Sequence, residues 1–327
     1  MNIAIVGCGL IAQKRAAGLG AHRLVACCDI SQARAEALAG QHSGCVATTD
    51  ARVAIERPDV DAVVVATTHD GLASTALLAI ESGKHVLVEK PAGRRASEVK
   101  PLIAAAVGHR VTGKVGFNHR FHPAFQRARA LVDAGEVGPL VYIRGRYGHG
   151  GRLGYASEWR ADPRVSGGGE LLDQGSHLID LARWFMGEFV SVAGHLGTYF
   201  WDMPVEDNAF MLLKTAEAQV AWLHASWTEW KNLFSFEIFG KYGKLQIDGL
   251  GGSYGTERLT FYRMLPELGP PETTIWEYPG ADRSWANELK EFMDCIASGE
   301  QPTGTFEDAV AVLEIVEALY AARRASE

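Results

Sequence analysis

The sequence has little cysteine, and none of Cys8, Cys27, Cys28, Cys45 and Cys295 falls in the paired C-x-x-C spacing of a zinc site. Cys27 and Cys28 lie side by side in an apolar run and would point to opposite faces of a strand. Packed, reduced thiols are therefore expected, as in a cytoplasmic protein. Positive charge is not in excess. With 32 Lys and Arg against 39 Asp and Glu, the formal net charge is -7, which excludes the basic footprint of a general nucleic-acid binder. No apolar stretch approaches the roughly 18 to 20 residues that span a bilayer. The opening "MNIAIVGCGL" lacks the basic n-region of a secretory signal and runs from a short apolar stretch straight into glycines. The expectation is a cytoplasmic protein with neither a membrane nor a nucleic-acid partner. Internal repeats and low-complexity segments are missing too.

What is present is a pattern that changes once. At 327 residues and 47% hydrophobic, the chain can bury a large core and has room for two domains. Up to about residue 118, the β-rich runs "NIAIV", "LVACC", "DAVVVAT", "HVLVE" and "RVTGKVGF" alternate with the helical patterns "QKRAAGLG", "ARAEALAG", "STALLAIESG" and "ASEVKPLIAAA". Alternation at this spacing means βαβ units, hence a parallel sheet covered by helices. A helix over residues 123–134 and the strand "PLVYIRGRYG" follow, then a helix within "GGELLDQGSHLIDLARW". The long runs "NAFMLLKT", "AQVAWLHASWTEW", "FSFEIFG" and "GKLQIDG" come next and read as one large antiparallel sheet. Two helices, residues 285–297 and 307–322, close the chain.

The first turn carries the chemistry of the first domain. "GCGLIA" places Gly7, Gly9 and Ala12 in the G-x-G-x-x-G/A arrangement, with Leu10 and Ile11 between, after a strand and at a helix start. Gly7 allows the tight turn and Gly9 lets the backbone approach a pyrophosphate. Ala12 lets the helix pack close on the strand, and the helix N-terminus favours an anion. Asp29 ends the second strand, "LVACCD", where a carboxylate accepts hydrogen bonds from an adenosine ribose. The plainer reading is a tight turn, with Asp29 capping the helix that starts near Ser31. Turn, helix and acid together favour a dinucleotide. An Asp29 carboxylate would repel a 2′-phosphate, so NAD is expected, while Arg34 nearby keeps NADP open. The fold class is thus α/β: a Rossmann dinucleotide-binding domain over residues 1–118, then an α+β domain with a large open antiparallel sheet over residues 119–327, holding substrate and oligomer contacts.

Two further segments carry candidate chemistry. In "GKHVLVEKPAG", Glu89, Lys90 and Pro91 end a buried strand, at the edge where open α/β sheets bind ligands. Lys90 there either touches a substrate oxygen or forms an ordinary Glu–Lys pair at a strand exit. On the helix of the second domain the leucines, Ile179 and Ala182 have the spacing of one buried face. Asp173, His177, Asp180 and Trp184 fall at i, i+4, i+7 and i+11 and form a polar stripe. Gly175 sits between the first two, where glycine costs about 1 kcal/mol relative to alanine. Asp173 and His177 are one turn apart, so they share a cleft or make a surface pair.

Together these segments resemble the glucose–fructose oxidoreductase/inositol dehydrogenase (Gfo/Idh/MocA) family, over nearly the whole chain. The resemblance lies in "GCGLIA", "VVVATTHDGLASTALLAIESGKHVLVEKP", "VGFNHRFHPAF", "EWRADPRVSGGGELLDQGSHLIDLARWFMGE" and "NELKEFMDCIASGEQP". It implies an NAD(P)-dependent dehydrogenase or reductase acting on CH–OH groups of sugars, inositols or their derivatives. It also implies that Lys90, Asp173 and His177 form the catalytic group. An imidazole suits transfer of the carbinol proton, which points to His177. Lys90 can stabilise developing oxyanion character, and Asp173 can orient the substrate or the imidazole. Thr67, Glu89, Trp159 and Arg160 are implied cofactor neighbours, Arg160 and Trp159 through "EWR". A cis Lys90–Pro91 peptide is implied as well. The chain departs from the pattern at Thr68, where many relatives have proline, and at Leu72, where a histidine falls. His69 is therefore read as a loop or helix-cap residue without a catalytic role.

Two other classes stay in view. Asp173, His177 and Asp180 at helical spacing could bind zinc in a hydrolase, which leaves the glycine fingerprint unexplained, and no metal is expected. A dinucleotide-binding regulator without turnover can share the fold, although the intact Lys/Asp/His set speaks against it. "YIRGRYGHGGRLGY" holds Arg144, Arg146, His149 and Arg152 ahead of the catalytic helix. Arg146 and Arg152 are candidate contacts for an anionic substituent of the substrate, or are simply solvated. Trp222, Trp227, Trp230, Phe234, Phe236 and Phe239 cannot all face one helix layer. A homodimer or homotetramer built through the C-terminal sheet is therefore expected.

Overall fold

The computed structural model describes residues 1–326. They form two compact units, one of residues 1–117, 164–167 and 285–314, the other of residues 118–163, 168–284 and those from 315 on.

The first unit contains a six-stranded sheet in the order β3-β2-β1-β4-β5-β6. The strands are β1 (Asn2–Val6), β2 (Arg23–Cys28), β3 (Val46–Thr48), β4 (Ala62–Val65), β5 (His85–Glu89) and β6 (Gly113–Gly116), and all neighbours are parallel. Helices α1 (Leu10–Ala17), α2 (Gln32–Ala39), α3 (Ala51–Ile55), α4 (His69–Glu81) and α5 (Ala96–His109) alternate with them. Val63, Val64, Val86 and Leu87 are fully buried, as strands covered on both faces must be, which is why these runs are continuously apolar. Strand order reverses between β1 and β4. The crevice beyond the carboxyl ends of such a pair is where an open α/β sheet takes its ligand. All five cysteines are free thiols, and only Cys45 is not fully buried.

Residues 285–314 belong to this unit, whereas the pattern of the sequence assigned them to the second domain. The reason lies on helix α9 (Ser284–Ser298), whose Leu289, Phe292 and Met293 join the core cluster of Ile3, Ile5, Ala12 and Leu24. On α1, Arg15 forms ion pairs of 2.6 Å with both Glu89 of β5 and Glu288 of α9. Arg15 and Glu288 are completely buried.

The second unit contains eight strands in the order β14-β13-β12-β11-β7-β10-β9-β8. They are β7 (Leu140–Gly148), β8 (Phe189–Gly197), β9 (Asn208–Thr215), β10 (Val220–Ser226), β11 (Leu233–Gly240), β12 (Gly243–Asp248), β13 (Glu257–Arg263) and β14 (Glu272–Tyr278). Seven neighbours form six antiparallel pairs and one exception, for β7 runs parallel to β10. Two helices, α6 (Pro123–Asp133) and α8 (Ser176–Met186), with the short α7 (Pro163–Ser166) between them in the chain, pack on one face of this sheet. There Phe125 of α6 meets Phe234 and Phe236 of β11, with ring centroids 5.8 and 5.4 Å away. Gly145 of β7 leaves room for Leu178 of α8, since a Cβ at that position would lie 3.2 Å from its methyl group. The opposite face carries Tyr142, Leu212 and Trp222, all exposed, with Tyr142 stacked on Phe239 at 4.1 Å. The aromatics of the sequence thus divide between the two faces, while Trp227 fills a separate cluster with Tyr155 and Val205. Helix α10 (Phe306–Ser326) ends the described chain, and among the described residues no helix is long and apolar enough to cross a membrane.

The Arg15 ion pairs give a stability test. Glu288→Ala leaves the buried guanidinium with Glu89 alone, and breaking a buried pair costs about 3 kcal/mol or more. The urea midpoint should fall accordingly in equilibrium unfolding, and an unchanged midpoint would show that the pair carries no such weight.

Candidate active site

The dinucleotide end of the first unit lies at the β1/β4 switch. Gly7 follows β1 with a φ of 89°, a left-handed conformation that favours glycine. A Cβ there would overlap the carbonyl of Ala66, which follows β4. Gly9 is the N-cap of α1, carries no side-chain cap, and faces space where a Cβ would meet nothing within 4 Å. Leu10 is exposed, Ile11 half-buried, and Ala12 fully buried against the sheet core. This is a backbone with uncapped helix N–H groups and room in front of them, which fits a pyrophosphate.

Asp29 ends β2 with its carboxylate held on both oxygens. Oδ2 accepts the Cys8 N–H at 2.8 Å, while Oδ1 accepts the Ser31 N–H at 2.8 Å and Arg34 Nη2 at 2.7 Å. Burial would raise its pKa, but Arg34 and the two N–H groups outweigh that and hold it below the usual carboxylate range. Asp29 therefore both ties the glycine turn to the start of α2 and presents a negative edge. Arg34 lies against that edge and is half exposed, the feature that bears on a 2′-phosphate.

The EKP strand end is divided in its duties. Glu89 is buried and turned onto Arg15, whose Nε donates to it at 2.7 Å, so it belongs to an internal ion network. Lys90 is half-buried, and its peptide to Pro91 is cis. Thr67 donates to the Thr68 carbonyl at 3.0 Å in the turn that starts α4. His69 is buried as the first residue of that helix, with Nδ1 2.8 Å from the Ser166 carbonyl oxygen.

In the second unit, Asp173 lies on a five-residue π-turn, Leu171–Gly175, that runs directly into α8. Such turns inside helices often mark functional sites. Arg160 Nε donates to the Asp173 carboxylate at 2.9 Å, and Ser176 Oγ donates to the Asp173 carbonyl at 2.9 Å. Gly175 is packed: a Cβ would lie 3.3 Å from Leu171 and 3.4 Å from the Glu170 carbonyl. His177 is buried on the first turn of α8, and the ring of His119 stacks on it at 3.7 Å with planes 22° apart. Tyr147 of β7 stands 6.2 Å from His177 and 5.2 Å from both His119 and Tyr254. Gln174 Nε2 donates to the Tyr254 hydroxyl at 3.3 Å. Burial pushes the Tyr254 phenol up to about 12 and Tyr147 well above its ordinary value, so both remain O–H donors at neutral pH. His149 is pushed down by burial and accepts the Gly151 N–H on Nδ1 at 2.9 Å, which fixes a neutral ring.

Asp173 and Arg160 are thus brought together, with the Trp159 ring 4.6 Å from the Arg160 guanidinium and His177 four residues on from Asp173. Asp180, the next position of the polar stripe, is not. Arg120 grips its carboxylate with two hydrogen bonds of 2.9 and 2.6 Å, both residues buried, which makes it a structural anchor for α8. On β7 the positions of Ile143, Gly145 and Tyr147 are turned to the helices, so strand alternation turns Arg144 and Arg146 to the opposite, exposed face. Arg152 lies in the loop near the site but pairs with Glu158 at 2.7 Å. His119, Tyr147 and Tyr254 were not picked out by residue type. The first stands in the "VGFNHRFHPAF" segment and the second directly after Arg146, where the period of two places it. The cradle of the first unit yields a direct test: Gly7→Ala should weaken NAD binding at least about tenfold in a fluorescence titration, because the turn must shift away from Ala66. Unchanged affinity would detach the turn from the cofactor.

Comparison with known proteins agrees with this geometry. Residues 1–117 match the family described as oxidoreductase family, NAD-binding Rossmann fold, and residues 125–246 match the GFO/IDH/MocA C-terminal domain. Inositol 2-dehydrogenase 2 of Saccharopolyspora erythraea is 26% identical over 343 residues, covering 97% of this chain and 91% of that protein. The scyllo-inositol 2-dehydrogenase (NAD(+)) of Bacillus subtilis is 28% identical over 271 residues, 80% of this chain and 75% of its own. Levoglucosan dehydrogenase of Pseudarthrobacter phenanthrenivorans is 32% identical over 178 residues, 51% of this chain and 44% of that protein. A solved structure of levoglucosan dehydrogenase in complex with NADH and levoglucosan shares the fold, with a TM-score of 0.89 at 23% identity over 99% of this chain and 97% of that one. With family models matched in both its N-terminal and its C-terminal part, the chain belongs to the Gfo/Idh/MocA family and is an NAD-dependent oxidoreductase.

Proposed function

We propose that this enzyme oxidises a secondary hydroxyl of an uncharged polyol or sugar. The supporting observation is the Asp173–Arg160 pair beside the stacked His119 and His177 rings, in a surround of protonated tyrosines. NAD, when bound, supplies the hydride acceptor. His177 takes the hydroxyl proton, a transfer suited to an imidazole. Lys90 donates to the same oxygen as negative charge develops on it. Asp173, fixed by Arg160, accepts a hydrogen bond from a neighbouring hydroxyl and so sets which carbon reacts. The assignment of Lys90 follows the family pattern.

The charges around Asp173 favour a neutral substrate over an anionic one. Arg160 is held by Asp173 and lies 3.6 Å from Glu158, Arg152 is held by Glu158, and Arg146 faces away. Tyr147 and Tyr155 both feel the negative charge of Asp173 and Glu170. Arg160 and Arg152 are each paired with an acid, so a carboxylate or phosphate on the substrate would enter against the charge of Asp173 and Glu170. Free hydroxyls, by contrast, match phenol, amide and imidazole groups.

We further propose that a second copy of the chain covers the outer sheet face, where Tyr142, Leu212 and Trp222 are exposed beside a shallow cavity that Arg144 and Val220 also line. Two measurements test these readings. In steady-state kinetics with inositols and neutral sugars, His177→Ala and Lys90→Met should each lose on the order of a hundredfold in turnover. His177→Ala should keep its NAD affinity and Arg146→Ala should be silent; near wild-type turnover of either catalytic variant removes that residue from the mechanism. Sedimentation at micromolar concentration should show a dimer or tetramer that Trp222→Glu dissociates, whereas a monomeric wild type would refute the assembly.

A further inference from the structure

The segment that leads into the catalytic helix is gripped from behind by two residues that touch none of the proposed reacting groups. Glu206, in the loop before β9, is buried, and its Oε1 accepts three hydrogen bonds. They come from the Gly169 N–H at 3.0 Å, the Leu171 N–H at 3.1 Å and the Tyr320 hydroxyl at 2.7 Å. The Tyr320 oxygen, on α10, itself accepts from the Gly169 N–H at 3.2 Å. The Glu206 carbonyl takes the Glu170 N–H at 3.0 Å, so three successive amides of residues 169–171 are all bound to one residue. The other side of the Gly169 peptide faces Asp173, whose N–H donates to the Gly169 carbonyl at 3.0 Å. That carbonyl shares a peptide with the Glu170 N–H, so one peptide plane separates Asp173 from the Glu206 main-chain carbonyl, while the Glu206 carboxylate holds the peptides on either side.

The run of glycines follows from this contact. A Cβ on Gly168 would overlap the Tyr320 hydroxyl, and one on Gly169 would overlap the Glu206 carbonyl. Backbone alone fits between the clamp and the turn. A helix N-terminus normally leaves its first N–H groups to a capping side chain or to water. Here the turn has no side-chain cap of its own, and Glu206 supplies the acceptor from elsewhere in the chain. An α-helical start would carry Asp173 on a different radial position relative to His177 than the π-turn does, so what fixes the turn also fixes the angle between the two side chains.

We propose that Glu206 and Tyr320 are positioning residues for the reaction: through the Gly169 peptide they hold the π-turn that aims Asp173. The inference rests on the reading that Asp173 orients the substrate. Tyr320→Phe removes one donor and one acceptor without opening a large cavity, and Glu206→Gln keeps an amide oxygen that can accept the same three bonds.

The experiment measures three variants of the full chain, Tyr320→Phe, Glu206→Ala and Glu206→Gln, by turnover, NAD affinity and deuterium exchange of the amides in residues 169–175. Tyr320→Phe and Glu206→Ala should each lower kcat by about ten- to a hundredfold, the range expected when an orienting group is misplaced by up to about an ångström. The Michaelis constant for NAD should not move, exchange in the turn should accelerate, and Glu206→Gln should restore most of both. A role confined to stability would lower the melting temperature of the variants and leave the kcat of the folded enzyme intact. Intact kcat, or exchange that does not change in Tyr320→Phe, would overturn the inference. If the wild-type enzyme oxidised no polyol or neutral sugar, the proposed function would fail. The exchange measurement would then still decide whether the clamp holds the turn.

Discussion

Ionised groups taken out of water have to be matched by partners, and much of this molecule is arranged around meeting that requirement. Arg15 is buried between Glu89 and Glu288, which ties helix α1, strand β5 and helix α9 into one block. Arg120 and Asp180 do the same between the segment before α6 and helix α8. Breaking any one of these would leave an uncompensated charge inside, at a cost of several kcal/mol. The site side chains depend on them indirectly. Glu89 precedes Lys90, and Asp180 lies one turn beyond His177, so in both units a structural ion pair sits next to a residue proposed for chemistry. Rigid neighbours of this kind keep a reacting group within the small tolerance that catalysis demands.

Strand alternation is the second organising rule, and it decides the chemical character of the second unit's face. On β7 three residues face the helices and three face outward. The inward set is Ile143, Gly145 and Tyr147: one apolar contact, one gap for Leu178 and one phenol beside His177. The outward set holds Tyr142, Arg144 and Arg146, with Arg144 bonded to Glu237 of the neighbouring strand. A one-residue slip would exchange a phenol for a guanidinium next to the proposed proton acceptor. The neutral surroundings that underlie the proposed substrate preference are thus set by a register, more than by any single residue.

Much of this was legible in the sequence, for identifiable reasons. Strands β1, β2, β4 and β5 of the first sheet announce themselves as apolar runs, because burial on both faces leaves no alternation to misread. Strand β3 and helix α3 are three and five residues long, too short to leave a period. The fingerprint residues Gly7, Gly9, Ala12 and Asp29 are local in sequence and fall where expected. What could not be read is non-local. The parallel partnership of β7 with β10 joins segments that share no turn, and the packing of α9 on the first sheet depends on a stripe whose destination its own sequence does not name. Arg146 drew attention as a charge, while Tyr147 beside it carried the contact. Glu206 lies in "PVEDN", an unremarkable loop sequence, and its role appears only when residues 169–171 and Tyr320 are brought to it by the fold.

The Tyr320 contact also changes what helix α10 means. A helix that lies outside both sheets is commonly treated as expendable. Here the hydroxyl that reaches Glu206 comes from the last two turns of that helix. Fraying there would loosen the glycine segment ahead of Asp173 while leaving both sheets intact. Tyr320 is therefore a lever on the proposed site: a protein that lost this one contact would look folded by every bulk criterion and still be a poorer enzyme.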